Sequence, residues 1–181
     1  MRFAPMPSLE ELQSLLDLNA ATGVLTWKSR EEITGNGFFR RYAGTEAGNI
    51  RPTGYRYVKI GVRSYAAHRI VWTMFTGSPP IAVIDHIDRN KLNNAPGNLR
   101  AATWGQNCTN RVTISQTGFK GVSRLRGRWA VTVKKDGKKI KAGYFPCPTL
   151  AAIAYDRVAR SVHGEFAILN FPSIEEGRCD K

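Results

Sequence analysis

An acid, an imidazole and several carboxamides lie close together between residues 83 and 111. An apolar pair leads into Asp85-His86, a turn rich in Asn and Asp follows, and Asn98 begins the next apolar stretch. Carboxylate and amide oxygens suit a hard cation such as Mg²⁺. A neutral imidazole, with an ordinary pKa of ~6.5, can take a proton from water near neutral pH. This set of side chains therefore favours phosphodiester hydrolysis, with a cation stabilising the charge on the phosphate.

Strand, turn, strand and helix are the elements that must position these side chains. The apolar residues predict a strand that ends at His86 and a second strand over 99–101. Thr103 and Gln106 form a T-x-x-Q capping box, which predicts a helix that begins after Thr103. Three polar residues share one face of that helix at i, i+3 and i+4, namely Asn107, Asn110 and Arg111.

The residues before this stretch predict a small mixed α/β region. The predicted elements are a helix over 7–18, a strand over 23–27, loops and short strands over 35–54, a hairpin formed by 55–60 and 63–67, and a helix over 68–76. Ser8 and Glu11 form a capping box for the first helix, and Gly77 stops the last one.

The central stretch resembles the HNH endonucleases, also called ββα-metal or His-Me finger nucleases. The resemblance rests on D-H-I-D at 85–88, N-L-R at 98–100, Q-N at 106–107 and H-R-I-V-W at 68–72. It implies a ββα-metal core over about residues 66–112 and a phage-encoded enzyme of the homing type. Such an enzyme would act on double-stranded DNA in the cytoplasm of a bacterial host.

The resemblance also implies a role for each matching residue. His86 would be the general base, and Asn98 would orient its imidazole through a backbone or side-chain contact. Asp85 and Asn107 would hold the metal ion, Mg²⁺ or Mn²⁺. The family often has His where this chain has Asn107, which leaves one carboxylate among the protein ligands. We therefore expect weak metal binding until a DNA phosphate joins. His68 fits either a phosphate contact or a structural histidine at a helix start.

The C-terminal residues predict a small domain in which a three-stranded antiparallel sheet packs on one helix. The predicted elements are strands over 119–124, 127–134 and 139–145, an Asp136-Gly137 turn, and a helix that is capped by Thr149 and runs to His163. Apolar and polar residues alternate in the second strand, so one face can pack on the helix while the other carries cations. Nine basic residues lie between 119 and 145 against one acid, namely Lys120, Arg124, Arg126, Arg128, Lys134, Lys135, Lys138, Lys139 and Lys141.

This C-terminal segment resembles the ethylene-response-factor DNA-binding domain of plants, which also occurs in phage endonucleases. The matching pieces are K-G-V at 120–122, G-R-W at 127–129, G-Y-F at 143–145, A-A-I-A-Y-D at 151–156 and N-F-P at 170–172. In that family the exposed sheet face enters the major groove of DNA. The predicted DNA contacts are Lys120, Arg124, Arg126, Arg128, Thr132, Lys134, Lys139 and Lys141. Ser123 and Lys141 depart from the family pattern, so the plant target sequence does not transfer.

Composition supports a polyanionic partner. The chain has 27 Lys and Arg against 14 Asp and Glu, and its pI is about 10.1. Its three cysteines have no short pairing, which favours a reducing compartment over a disulfide framework. No apolar run approaches the ~20 residues of a membrane span, and the first residues lack the apolar core of a signal peptide.

These patterns predict an α+β protein in two functional parts. The predicted domains are 1–112 with the nuclease core and 118–172 with the DNA-binding sheet, followed by a tail over 173–181. One active site in a chain predicts nicking by a monomer, or double-strand cleavage by a weak dimer. Two alternatives stay open: a DNA-binding regulator with an inactive nuclease site, and an RNA-binding or RNA-cleaving protein.

Overall fold

Several small antiparallel sheets and short helices make up the computed structural model of the chain, in agreement with the predicted mixture of α and β elements. The structure describes residues 5–29, 37–109 and 116–172. The chain divides into two units, an N-terminal unit over Met1–Ala102 and a C-terminal unit over Thr103–Lys181. Within the described ranges, no helix is long and apolar enough to cross a membrane.

The N-terminal unit begins with helix α1 and then forms two small sheets. Its elements up to the second helix of the unit are α1 (Leu9–Leu15), β1 (Leu16–Leu18), β2 (Leu25–Trp27), α2 (Gly37–Tyr42), β3 (Asn49–Ile50), β4 (Arg56–Ile60) and β5 (Arg63–Ala66). Strand β1 pairs with β2, and β3, β4 and β5 form a three-stranded sheet. The predicted hairpin of β4 and β5 is thus confirmed, and Ser8 caps α1 as expected.

One prediction in this region was wrong and another was incomplete. The first helix was expected to run to residue 18, but it ends at Leu15, because Leu16 leaves the helix to pair with Trp27. Leu16 is 1% exposed, so its side chain is buried in the strand as it would have been in a longer helix. Between residues 35 and 54 we expected loops and short strands, whereas the structure also forms α2; residues 35 and 36 lie outside the described ranges.

Helix α3 (Ala67–Thr76) lies on the core that supports the candidate site. Ile70 and Val71 are fully buried and pack in one cluster with Leu12, Val58 and Ile84. The helix ends at Gly77, which adopts the left-handed conformation, as the sequence predicted. Because this cluster joins α1, β4, α3 and the next strand, it fixes the elements from which the candidate site projects.

A two-stranded antiparallel ribbon completes the N-terminal unit. It consists of β6 (Val83–His86) and β7 (Leu99–Ala102), and a short 3₁₀ helix over Pro96–Asn98 precedes β7. Both strands were predicted within one residue of their ends.

The C-terminal unit contains the predicted three-stranded sheet and helix. Its elements are α4 (Trp104–Thr109), β8 (Val122–Leu125), β9 (Arg128–Lys135), β10 (Lys138–Phe145) and α5 (Pro148–His163). Strand β9 is central, both its neighbours are antiparallel to it, and α5 packs on it through Ala151, Tyr155 and Ala159.

The cap of α5 differs from the prediction. Cys147, not Thr149, is the N-cap, and its sulfur accepts the backbone N–H of Leu150. Pro148 takes the first helical position, where its missing N–H costs no hydrogen bond. Gly164 ends the helix as predicted. The predicted domain boundary near 112 falls outside the described residues and stays a prediction, while the two units divide after Ala102.

Candidate active site

The β6–β7 ribbon carries an acid and a histidine at two consecutive buried positions of β6. Asp85 lies opposite Arg100 and His86 lies opposite Leu99 in the strand register. Asp85 is 5% exposed and His86 is 3% exposed. Because neighbouring residues of a strand point to opposite faces, the carboxylate and the imidazole project from different sides of the ribbon.

The carboxylate of Asp85 is held by a guanidinium. Arg100 Nε and Nη2 both donate to Asp85 Oδ2, at 3.0 and 2.9 Å. Charge-assisted bonds of this kind are roughly twice as strong as neutral hydrogen bonds. The strand register alone brings the two residues together, since they are direct cross-strand partners.

The imidazole of His86 is oriented by a residue that the sequence did not single out. His86 Nε2 lies 3.1 Å from Asn94 Oδ1, and Asn94 is itself buried. Because an amide oxygen only accepts, a hydrogen bond at this contact requires the tautomer in which Nε2 carries the hydrogen. In that tautomer Nδ1 is the unprotonated nitrogen, and a neutral imidazole can accept a proton there.

Two more rings pack around His86. The ring of His68 lies 5.2 Å from that of His86 in an edge-to-face arrangement, and the ring of Tyr55 lies 5.9 Å away. Burial, with the nearby His86 and Arg69, lowers the pKa of His68 to about 3. His68 is therefore neutral at physiological pH and does not offer a phosphate a cationic contact. The structural alternative for His68 is the one that this environment favours.

Asn98, predicted to orient His86, holds the turn that follows it. Its amide nitrogen donates to Asp88 Oδ1 and to the carbonyl of Asn93, and its amide oxygen accepts the N–H of Asp88. Its backbone carbonyl accepts the N–H of Ile87, next to His86. Partial burial raises the pKa of Asp88, but hydrogen bonds from Asn93, Asn98 and the N–H of Asn90 outweigh it and lower the pKa below its usual range.

Asn107, the second predicted metal ligand, lies on α4. Thr103 Oγ1 accepts the N–H of Gln106, and Gln106 Oε1 accepts the N–H of Thr103, so the predicted capping box is confirmed. Helix α4 belongs to the C-terminal unit and Asp85 to the N-terminal unit. The pairing of Asn107 with Asp85 therefore stays a prediction, as does the ββα arrangement. Asn110 and Arg111 lie outside the described residues.

The exposed face of the C-terminal sheet collects most of the predicted DNA contacts. Lys139 lies opposite Lys134, and Lys141 lies opposite Thr132, in the register of β9 and β10. Arg128 falls on the same face by the two-residue period of β9. The opposite face carries Val131 and Val133, which are buried against α5. Five of the predicted contact residues thus share one surface, here called the basic face (Arg128, Thr132, Lys134, Lys139 and Lys141).

The other three predicted contacts are placed differently. Arg124 lies opposite Trp129, on the side of the sheet that faces α5, with its guanidinium 6.0 Å from the centre of the indole. Arg126 is exposed in the β8–β9 turn, with a φ of 48°. The backbone N–H and carbonyl of Lys120 are both held by the side chain of Asn170.

Comparison with known proteins assigns the central stretch. The family model of HNH endonucleases matches residues 65–107, which include α3, the β6–β7 ribbon and Asn107. Protein 3.8 of Escherichia phage T7 is 37% identical over 105 residues, covering 55% of this chain and 86% of that protein. The chain belongs to the HNH endonuclease family. An uncharacterised HNH endonuclease of Acanthamoeba polyphaga mimivirus is 37% identical over 106 residues.

The chain spans 56% of the mimivirus HNH protein, and that match covers 57% of this chain. An ethylene-responsive transcription factor of Arabidopsis thaliana is also similar, with 36% identity over 58 residues. That match covers 31% of this chain and 25% of the plant protein, so the likeness to the plant domain is partial.

The two predicted metal ligands have the oxygen chemistry that a hard divalent cation prefers. HNH nucleases generally use divalent metal ions, and Asp85 with Asn107 would offer carboxylate and amide oxygens. In the described part of the chain no three His, Cys, Asp or Glu side chains cluster as a metal site. The weak metal binding expected from a single carboxylate stays a prediction.

Sequence reasoning missed two site residues, Asn94 and Arg100. Asn94 stands in a run of Asn and Asp residues that reads as a turn, and nothing in the run marks which amide faces the imidazole. Arg100 was noted only as part of N-L-R. The register of β6 and β7 could have found it, because pairing His86 with Leu99 puts Arg100 opposite Asp85.

Proposed function

We propose that this chain is a metal-dependent endonuclease that hydrolyses phosphodiester bonds in duplex DNA. The observation that carries the proposal is the buried His86 with Asn94 on Nε2, next to Asp85 in the strand that the HNH family model covers. An imidazole with Nε2 protonated and Nδ1 basic suits removal of a proton from water. Burial and the packed rings of His68 and Tyr55 hold the imidazole in one orientation.

Each residue has a stated task in this reaction. His86 Nδ1 takes the proton of the attacking water, and Asn94 keeps the other nitrogen protonated. Asp85 and Asn107 would hold the divalent cation, Mg²⁺ or Mn²⁺. When bound there, the cation stabilises negative charge on the phosphate and on the departing oxygen. Asn98 secures the turn after His86 through Asp88. The products expected for this family are a 3′-hydroxyl and a 5′-phosphate.

The basic face would place the site on its substrate. We propose that the C-terminal unit is an ethylene-response-factor-like DNA-binding domain over 118–172. Its three antiparallel strands on one helix, its single-sign exposed face and its partial likeness to the plant factor support this. The face offers Lys and Arg side chains to phosphates, which supply much of the affinity of proteins for DNA. One site in each chain suits nicking by a monomer.

The biological setting is proposed from the same resemblance. A phage-encoded enzyme of the homing type would act in the cytoplasm of a bacterial cell and cut near its own coding locus. Similarity to a protein of Escherichia phage T7 supports that setting.

A plasmid cleavage assay tests the proposal. Supercoiled plasmid carrying DNA from around the coding locus is incubated with wild type in Mg²⁺, in Mn²⁺ and in EDTA, and with His86→Ala. We expect nicked circles with wild type and metal, and intact plasmid with EDTA or His86→Ala. His163→Ala is the matched control, because this histidine lies at the end of α5 in the other unit. It should cut like wild type.

A second candidate function is a DNA-binding regulator with an inactive nuclease site. The observation that favours it is the occupation of Asp85 Oδ2 by Arg100, which leaves the predicted metal ligand paired within the protein. Binding of the plasmid by wild type without cleavage in either Mg²⁺ or Mn²⁺ would support this candidate and contradict the endonuclease.

A further inference from the structure

Arg100 holds the carboxylate that the proposed function assigns to the metal ion. Two of its N–H groups converge on one oxygen, Asp85 Oδ2, at 3.0 and 2.9 Å. The pair is withdrawn from solvent: the side chain of Arg100 is 13% exposed and that of Asp85 is 6% exposed. A buried charge needs a partner, and here the partner of the carboxylate is a cation that belongs to the chain.

The pair does not depend on the chance placement of two long surface side chains. Asp85 and Arg100 are direct partners in the register of β6 and β7, and the neighbouring pairs His86 with Leu99 and Ile84 with Ala101 fix that register. Leu99 and Ile84 are buried, which anchors the ribbon on the core. Arg100 is therefore presented to Asp85 whenever the ribbon is formed.

A divalent cation on the same carboxylate would be close to the guanidinium. One negative charge would then face three positive charges at a site shielded from solvent, where charges interact strongly. An arginine keeps its proton at any physiological pH, so it cannot relieve this repulsion by becoming neutral. Either the cation binds weakly or the guanidinium gains another anion.

We propose that Arg100 competes with the divalent cation for Asp85 in the DNA-free protein and is taken over by a DNA phosphate when the substrate binds. The inference rests on the proposed function, since it assumes that Asp85 is a metal ligand. It assigns to Arg100 a role that the family resemblance did not give it, the control of metal binding at Asp85.

DNA phosphate suits the exchange for two reasons. It supplies negative charge to balance the cation and the guanidinium, and its oxygens match the planar fork of a guanidinium. Metal and DNA then bind with positive coupling, and the coupling is reciprocal: DNA strengthens metal binding as much as metal strengthens DNA binding. The chain would thus stay poorly loaded with metal until it lies on its substrate.

Binding of Mn²⁺ to the DNA-free protein tests the competition without any cleavage. The signal of free Mn²⁺ in electron paramagnetic resonance is titrated with wild type, Arg100→Gln and Arg56→Gln. Arg56 is the matched control, because it also pairs with an acid in the N-terminal unit, Glu46, at 2.9 Å. We expect Arg100→Gln to bind Mn²⁺ at least about tenfold more tightly than wild type, the scale of coupling between close charge pairs. Arg56→Gln should match wild type.

The same titration with a short duplex oligonucleotide tests the exchange. The Mn²⁺ affinity of wild type should rise on adding the duplex. The difference in affinity between Arg100→Gln and wild type should then shrink, because the guanidinium has left Asp85 in DNA-bound wild type and is absent from the variant. Arg100→Lys keeps the charge and should stay closer to wild type than Arg100→Gln in the DNA-free protein. Arg100→Met keeps the aliphatic stem and repeats the test if Arg100→Gln unfolds, as judged by circular dichroism.

Two outcomes overturn the proposal in distinguishable ways. If folded Arg100→Gln or Arg100→Met binds Mn²⁺ no more tightly than wild type, Arg100 is a structural partner only. Mn²⁺ binding by Asp85→Asn then shows whether only the role of Arg100 fails or the proposed metal site fails as well. Loss of Mn²⁺ binding in Asp85→Asn keeps Asp85 as the ligand, so that only the role of Arg100 fails. Unchanged binding in Asp85→Asn removes the metal site at Asp85, and both proposals fail together.

Discussion

The orientation of the His86 imidazole depends on Asn94. Loss of this amide should therefore lower the rate of cleavage without weakening the binding of DNA. Asn94→Ala removes the acceptor on Nε2 and frees the ring to take the wrong tautomer. We expect kcat to fall about tenfold to hundredfold, the range seen when a partner of a functional imidazole is lost. KM for duplex DNA should change little, because Asn94 is buried. Steady-state nicking kinetics measure both constants.

Two further variants show whether the amide acts through the ring. Asn94→Asp keeps an oxygen at the same position and should recover much of kcat. Asn90→Ala changes an exposed amide in the same turn and should leave kcat near the wild-type value. Equal loss of kcat in Asn90→Ala and Asn94→Ala would mean that the turn as a whole, rather than the acceptor on Nε2, matters.

His68 predicts a specific dependence of stability on pH. Its pKa is lowered from 6.5 to about 3 by burial and by the neighbouring His86 and Arg69. Between these values the unfolded chain binds a proton that the folded chain rejects, so the free energy of unfolding falls as pH drops from 6.5 towards 3. His68→Phe keeps a ring beside Tyr55 and cannot titrate. Urea unfolding between pH 5 and 7.5 should give a smaller slope for His68→Phe than for wild type; equal slopes would contradict the assignment.

At the scale of elements, two local signals were confirmed, whereas the local cap predicted for α5 at Thr149 was wrong, because Cys147 takes that position. The capping box at Thr103 and the helix stop at Gly77 involve bonds within a few residues, and both were found where the sequence put them. Leu16 was assigned to a helix because the apolar period continues through it, yet it pairs with Trp27. The salt bridge of Asp85 with Arg100 also spans two strands. The last two misses are pairings between residues distant in sequence, which periodicity does not encode.

The turn between β1 and β2 supports the candidate site through one glycine. A Cβ on Gly23 would lie 2.1 Å from the backbone carbon and oxygen of Asn94, and Gly23 has a φ of +70°. Gly44 is a matched control, because its φ is +73° and nothing lies within 4 Å of a Cβ there. Gly44→Ala should cost about 1 kcal/mol of unfolding free energy from backbone strain alone. Gly23→Ala should cost about 3 kcal/mol, since overpacking adds to the same strain.

Activity should follow the same contrast. Gly23→Ala pushes on the backbone that carries the acceptor of His86, so kcat should fall in protein that remains folded, whereas Gly44→Ala should cut normally. Thermal unfolding and nicking rates measured on the same preparations check both expectations. If the two variants lose equal stability and equal activity, the close approach of Gly23 to Asn94 is not what holds the turn.

At the scale of the whole molecule, the net charge of +13 predicts DNA binding that weakens steeply with salt. The sequence showed that the cations are numerous, and the register shows which of them share a face. Lys134 pairs with Lys139, on the basic face. Lys135 pairs with Lys138, on the opposite side, where Lys135 lies near His163 of α5. Two adjacent lysine pairs in one hairpin thus point in opposite directions.

Neutralising each pair tests which side of the sheet meets DNA. The double variant Lys134→Gln, Lys139→Gln should weaken binding to duplex DNA and lower the slope of log affinity against log salt by about 2, one for each lost phosphate contact. The double variant Lys135→Gln, Lys138→Gln removes the same charge from the same hairpin and should keep the slope of wild type. Fluorescence anisotropy with a labelled duplex at several salt concentrations gives both slopes. Equal losses in the two variants would mean that net charge, rather than the basic face, binds DNA, because long-range attraction does not distinguish the two sides of a thin sheet.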